Sequence, residues 1–311
     1  MRAVRNAGLV CALRVAAAAL CLWLCTGSSV AQTDSALAST FSKAFASRLE
    51  LIASSADGVI GYTIVDITSG DRFERLPATA FPTASTIKLA VLYELFKQAD
   101  ERRIDLNEAR PLDRSKAVPG GLLYELTTPS LSLCDLAVAM ILQSDNTAAN
   151  VLIDRLGMDA INARIASLGL QHTRLRRRMI DLDAARRGDE NISTPADLAA
   201  LLIAFHEGRG LTAGSKKAAI EILEKRKPSP ISAGVPDDVA IASKDGELEG
   251  VRADAGIVYV PGRPYVFVVM GTFLRETGEI QKPLQDLARA TYEYFSRRAT
   301  ISAYGRKLGS G

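Results

Sequence analysis

The order of strand and helix patterns along this 311-residue chain predicts an α+β fold of the α-β sandwich kind. In it, an antiparallel, mainly five-stranded sheet is flanked by the N- and C-terminal helices, and an all-helical lobe is inserted. Three observations predict this. Strand patterns gather near the two ends, at 58–76 and 239–273. Helical patterns fill the middle, and the last three strand patterns are joined by links too short for a parallel crossover. The sheet part is drawn from about 32–80 and 228–311 and the helical lobe from about 81–227, with a cleft expected where they meet.

Residues 1–31 read as a secretory signal. Arg2, Arg5 and Arg14 make a positive start, Val15 to Cys25 is an apolar run of 11 residues, and Ser29-Val30-Ala31 offers small residues where a signal peptidase cuts. A run of 11 is too short to span a bilayer, and Leu24 before Cys25 is too large for a lipoprotein site. Cleavage after Ala31 predicts a periplasmic or secreted protein with no stable membrane insertion. It leaves 280 residues, enough for a substantial core. It also leaves 35 basic against 35 acidic residues, so composition gives no case for nucleic acid. Cys134 is then the single cysteine, and His172 and His206 are the only histidines, which rules out an intrachain disulfide and offers no zinc cluster. No cofactor, no metal and a monomeric state are expected.

Taken in order, Asp34 to Ala56 carries Leu37, Phe41, Phe45, Leu49 and Ile52 at helical spacing. Gly58 to Ile67 is a Val-, Ile- and Tyr-rich strand, Thr68-Ser69-Gly70-Asp71 a turn, and Arg72 to Leu76 the hairpin partner. Phe81 to Leu92 opens a buried helix that ends near Gln98, with Pro82 suited to its first position. Asp100 to Leu112 is polar, a solvated helix or loop. Pro119-Gly120-Gly121 breaks the chain and leaves Leu122, Leu123 and Tyr124 on a mobile segment. Leu133 to Gln143, Ala148 to Leu156 and Met158 to Leu168 are helical, and Arg174 to Asn191 is a long charged loop. Ser193-Thr194-Pro195 starts a helix through Phe205, and Ala213 to Lys225 is another. After Pro228 come strands over Val239 to Lys244, Val251 to Val260 and Tyr265 to Phe273, linked by Asp245-to-Gly250 and Pro261-Gly262. Glu279 to Arg298 closes the chain as a helix.

Ser85 and Lys88 stand three apart at the start of the buried helix, so they share a face. A lysine among apolar neighbours, or beside a second cation, loses its charge and can take a serine's proton. The free N–H groups of a first helical turn favour a developing oxyanion. Alone, Ser-x-x-Lys is as readily a core helix with one lysine reaching solvent. Ser144-Asp145-Asn146 alone is a helix cap, and Lys244-Asp245-Gly246 alone is a lysine beside a turn. Those separate readings do not explain all three in this order, each at the end of its element and facing the expected cleft.

With these motifs the chain resembles the penicillin-recognising serine enzymes, specifically the class A β-lactamases and their close relatives. The resemblance covers essentially the whole mature chain. It rests on Phe81-Pro82-Thr83-Ala84-Ser85-Thr86-Ile87-Lys88 and on the run Ser144-Asp145-Asn146-Thr147-Ala148-Ala149-Asn150-Val151-Leu152. It implies a β-lactamase/transpeptidase-like fold. Ser85 would be acylated, Lys88 would accept its proton, Ser144 would relay the proton to the leaving nitrogen, and Lys244 would hold that relay in a positive field. Asn146 would grip the amide of the substrate side chain, and the backbone N–H groups of Ser85 and Glu247 would form the oxyanion hole. Asp245 and Gly246 belong to the same substrate edge. Arg252 is either an anchor for the substrate carboxylate or a salt-bridge partner of Asp254.

Two departures stand out. The family's loop glutamate, in a Glu-x-x-x-Asn pattern, activates the deacylating water, and counting back from Thr194-Pro195 puts it at about Arg178. No glutamate is there; Asp181 or Asp183 would substitute only with a shifted loop. Asp245 stands where the family has a Thr or Ser that binds the substrate carboxylate. An ionised Asp repels that carboxylate unless Lys244 or Arg252 pairs with it.

The first expectation is an exported serine hydrolase that works through an acyl-enzyme on the β-lactam amide bond, its partner a small β-lactam or peptidoglycan-like acyl substrate. A D-Ala-D-Ala-type peptidase or esterase of the same superfamily, which needs no loop glutamate, is the close alternative. A different class is a β-lactam-binding sensor that is acylated and stays so. That reading calls for a transmembrane or partner domain, which the sequence does not show.

Overall fold

The computed structural model describes residues 36–127, 130–275 and 280–308. The expected signal peptide at 1–31 and the expected helix starts at Asp34 and Glu279 lie outside the described residues. Among the described residues nine strands run in chain order: β1 Val59–Asp66, β2 Arg72–Arg75, β3 Phe81–Pro82, β4 Ala109–Pro111, β5 Ser130–Ser132, β6 Ile192–Ser193, β7 Ile241–Leu248, β8 Val251–Val258 and β9 Tyr265–Thr272. The α-helices are α1 Ala36–Ser54, α2 Lys88–Asp100, α3 Leu133–Leu142, α4 Asn146–Leu156, α5 Met158–Ser167, α6 Leu182–Arg186, α7 Pro195–Glu207, α8 Ala213–Glu224, α9 Pro230–Gly234 and α10 Gln281–Thr300.

The main sheet has five antiparallel strands in the order β2-β1-β9-β8-β7. Alternation along each strand sends residues to two separate cores. Tyr62, Ile64, Phe267 and Val269 face one side with Phe45, Leu49, Leu284 and Phe295 of the terminal helices. Ala253, Ala255, Val266, Val268 and Met270 face the other side, against the helical middle of the chain. On the first side Phe45 stacks on Tyr294 at 4.1 Å between ring centroids, and Ser42 Oγ meets Tyr294 OH at 2.7 Å, which locks α1 to α10.

Several local expectations change. Pro82 is not in a helix: it pairs with Ile192 in the two-residue β3–β6 bridge, and a 3-10 turn over Ala84–Ile87 precedes α2. The tighter turn aligns residues three apart more closely than an α-helix does. The polar stretch after α2 is loop apart from β4, which pairs with β5. Leu122–Tyr124 is not a loose segment: it forms a 3-10 turn with Leu123 4% exposed. The residues Pro230–Gly234, to which the sequence assigns no element, form α9, started by a Ser229–Ser232 capping box. Strand β7 continues through Asp245, Gly246 and Glu247 to Leu248, so the turn to β8 is only Glu249-Gly250, with Gly250 at φ +70°. Its charges hid the strand in the sequence, because Glu247 lies opposite Arg252 and Asp245 opposite Asp254 on β8.

Candidate active site

The 3-10 turn before α2 presents Ser85 partly exposed between Ala84 and Thr86, both buried. Ala84 holds φ +45°, a left-handed conformation that a residue with a Cβ adopts only under constraint. Lys88 begins α2, and its side chain is 0% exposed. Its Nζ lies 3.1 Å from Ser85 Oγ, 2.6 Å from Ser144 O, 3.2 Å from Ser144 Oγ and 2.8 Å from Asn146 Oδ1. All four partners are uncharged. Burial, followed by the charge of Lys244, holds the Lys88 amine well below the usual lysine range, against the weaker pull of Asp145 and Asp245. A neutral amine at this distance can accept the Ser85 proton.

Ser144 and Asn146 reach Lys88 because the joint between α3 and α4 is held tightly. Ser144 sits at φ +51°, and buried Asp145 caps α4 by accepting from Ala148 N at 2.8 Å. The second Asp145 oxygen takes Leu123 N at 2.7 Å, and Thr147 Oγ1 both accepts from Val118 N and donates to Val118 O, each at 3.0 Å. Asn146 Nδ2 donates to Pro119 O at 2.9 Å. A Cβ on Gly121 would stand 2.3 Å from Asp145 Oδ2, so the glycine pair that reads as a break is a close-packing requirement. Asn146 thus has both ends of its amide engaged, with Oδ1 on Lys88 and Nδ2 on Pro119.

Strand β7 closes the other side. A Cβ on Gly246 would lie 2.7 Å from Ser85 N, so the strand passes against the nucleophile turn and only glycine fits. Lys244 is 1% exposed and donates to Asp245 O at 2.7 Å and Asp245 Oδ1 at 3.1 Å. Arg252, 5% exposed, reaches Asp245 Oδ2 at 3.0 Å and Glu247 Oε2 at 3.1 Å. Its ion pairs therefore run to those two acids; Asp254 Oδ2 accepts from Ile231 N at 2.9 Å. Burial works to raise the Asp245 carboxyl, but Lys244 and Arg252 outweigh it and hold it below the usual range. Burial, then the charge of Asp245, pushes Asp254 up to about 6. Lys227, from the segment after α8, joins this cluster; burial and then Lys244 bring it down to about 8.

The loop between α5 and α7 brings its carboxylates to other duties. Asp181 caps α6 by accepting from Ala184 N at 2.9 Å, and exposed Asp183 pairs with Arg186. Arg178, where the missing glutamate was expected, is exposed and bonds Asp154 at 2.6 Å. Met179, 6% exposed, is the loop residue tied to α4: Asn150 takes its N–H at 2.8 Å and donates to its carbonyl at 3.1 Å. Asn150 follows Asn146 by one turn of α4, on the same face. That spacing was visible in the sequence, whereas nothing there could join Lys227 to Lys244. Among the described residues no group of three or more His, Cys, Asp or Glu is placed to hold a metal, and no helix is long and apolar enough to cross a membrane.

The sequence profile of the Beta-lactamase enzyme family matches residues 44–295. β-Lactamase AST-1 of Nocardia asteroides is 30% identical over 322 aligned positions, covering 98% of this chain and 97% of that protein. The crystal structure of a β-lactamase from Sphaerobacter thermophilus superposes with a TM-score of 0.74 at 31% identity, over 80% of this chain and 96% of the other. An acyl-enzyme complex of a PBP-A mutant with penicillin G superposes at 0.75 and 27% identity, over 81% and 96%. With motif order, sheet topology and site geometry in agreement, the chain belongs to the β-lactamase enzyme family and is a serine hydrolase of the class A β-lactamase type.

Proposed function

We propose that this protein is an exported, monomeric serine hydrolase in which β-lactams acylate Ser85 faster than water releases them. The contact of the buried, charge-depleted Lys88 amine with Ser85 Oγ at 3.1 Å carries this reading. Lys88 takes the Ser85 proton as Oγ attacks the β-lactam carbonyl. The oxyanion forms toward the N–H groups of Ser85 and Glu247, which the close passage of Gly246 supports. Ser144, 3.2 Å from Lys88 Nζ, passes the proton to the leaving nitrogen, while Lys244 keeps that region positive. The C–N bond breaks and an ester to Ser85 remains. Asn146 is the side-chain amide contact, once its Nδ2 exchanges Pro119 for substrate. Release needs an activated water, and the engagement of Asp181 and Asp183 in other bonds favours slow release. The buried Met179 in place of an acid also favours the alternative reading, a peptidase or esterase of the same superfamily.

In this reading residues 1–31 are a cleaved signal and 32–311 a single catalytic domain, delivered to the periplasm or the medium. Intact-mass measurement of exported protein, before and after penicillin G and a chromogenic cephalosporin, tests it. A starting mass that begins near Gln32 and an added drug mass mapping to Ser85, absent in Ser85→Ala, are expected. An adduct elsewhere, with none at Ser85, overturns the assignment.

A further inference from the structure

We propose that Asp245 fills, from within the chain, the place that a substrate carboxylate would take, and that the cleft selects acyl donors uncharged beside the scissile bond. This rests on the reading that Ser85 is acylated. The two buried cations of β7 and β8 are already used by one carboxylate, which divides its oxygens between them: Oδ1 to Lys244 Nζ at 3.1 Å and Oδ2 to Arg252 Nη1 at 3.0 Å. Glu247 adds a second negative charge on Arg252 at 3.1 Å. The position is close to the chemistry, because the next residue, Gly246, packs against Ser85 N.

Counting charges decides what this edge attracts. Lys244 and Arg252 are balanced by Asp245 and Glu247; Asp254 stands opposite Asp245 on the neighbouring strand, and Lys227, whose Nζ donates to Leu223 O and Lys225 O, is a further cation within electrostatic reach. An incoming carboxylate meets two cations already paired, with two acids beside them. To bind, it must displace Asp245 and leave that partly buried charge without a partner. An ester, amide or hydroxyl oxygen needs no such exchange: it accepts a hydrogen bond from the rim of the existing cluster. The substrate class that fits is therefore an activated acyl compound, β-lactam or ester, without an anionic group at this end.

The test compares penicillin G with its methyl ester, each rate of Ser85 labelling divided by the compound's own rate of hydroxide hydrolysis. The wild-type protein should favour the ester by about tenfold or more, as expected when a close, poorly screened charge is opposed. The preference should persist as salt rises, because charges this buried are screened little. Asp245→Thr, which frees Lys244 and Arg252, should move the ester-to-acid ratio toward the acid by a similar factor. If that variant does not fold, the wild-type ratio and its persistence in salt decide alone. Labelling by the free acid as fast as by the ester, or a ratio unmoved in a folded Asp245→Thr, overturns the inference while the acyl-enzyme reading stands. No adduct at Ser85 from either compound removes both.

Discussion

Lys88 and Lys244 lie within electrostatic reach of each other, and burial lowers both amines, but only one of them is given an opposite charge in contact. Lys244 has a carboxylate in contact; Lys88 has only neutral oxygens. A buried ammonium survives where its charge is answered and gives up its proton where it is not. The consequence for pH has a definite sign. Lys88 is active as the free amine, so acylation of Ser85 should rise with pH through a midpoint below the ordinary lysine range, and fall away on the acid side as the amine is protonated. Lys88→Arg, whose guanidinium keeps its proton, should lower the acylation rate by about 100-fold or more at every pH. Acylation rates followed by mass from pH 5 to 10 check both statements. A wild-type profile that is flat across this range would remove Lys88 as the base.

At the scale of elements, the segment between α5 and α7 shows how a loop can keep its shape without a catalytic group. Asn150 fixes the Met179 backbone at both ends of its peptide unit, while Asn191 Oδ1 holds Arg176 N and Arg177 N at 2.8 and 3.0 Å. If Asp183 occupies the asparagine position of Glu-x-x-x-Asn, position 179 is where the glutamate would stand. With penicillin G in excess, stopped-flow traces should show a burst equal to the enzyme present, then slow turnover. Asp181→Asn and Asp183→Asn should leave that burst, and Met179→Glu should speed the slow phase by about 100-fold. Loss of the burst in none of the variants, with the slow phase unchanged by the glutamate, would place the release step elsewhere. The loop also marks the limit of what a sequence reading carries. Apolar periodicity located α1, α7 and the sheet strands to within a few residues, because their partners are one continuous apolar face. Ser85, Lys88, Ser144 and Lys244 were legible through motif spacing. The position of Met179 was not, since it is set by one side chain on α4, that of Asn150. Asp245 was legible as an anomaly with Lys244 or Arg252 as its partner; that it divides its oxygens between both was not, because the two cations belong to different strands.

At the scale of the whole molecule, the sheet joins distant parts of the chain: β1 pairs with β9, from Val59 opposite Thr272 to Asp66 opposite Tyr265. The helical middle lies between them in sequence and packs largely on itself. Such long-range pairing closes slowly, because the ends of a long loop must meet before any strand contact rewards the closure. The passage of Gly246 against Ser85 N couples the chemistry to that late event, since the nucleophile turn lies at the start of the middle and β7 comes after it. Capture of a penicillin is therefore a clock for folding. In refolding from denaturant, far-ultraviolet ellipticity should recover first, and pulses of labelled drug should mark Ser85 only in the last phase, when the sheet has closed. Labelling that keeps pace with the earliest helical signal would mean the helical middle alone makes the reactive serine.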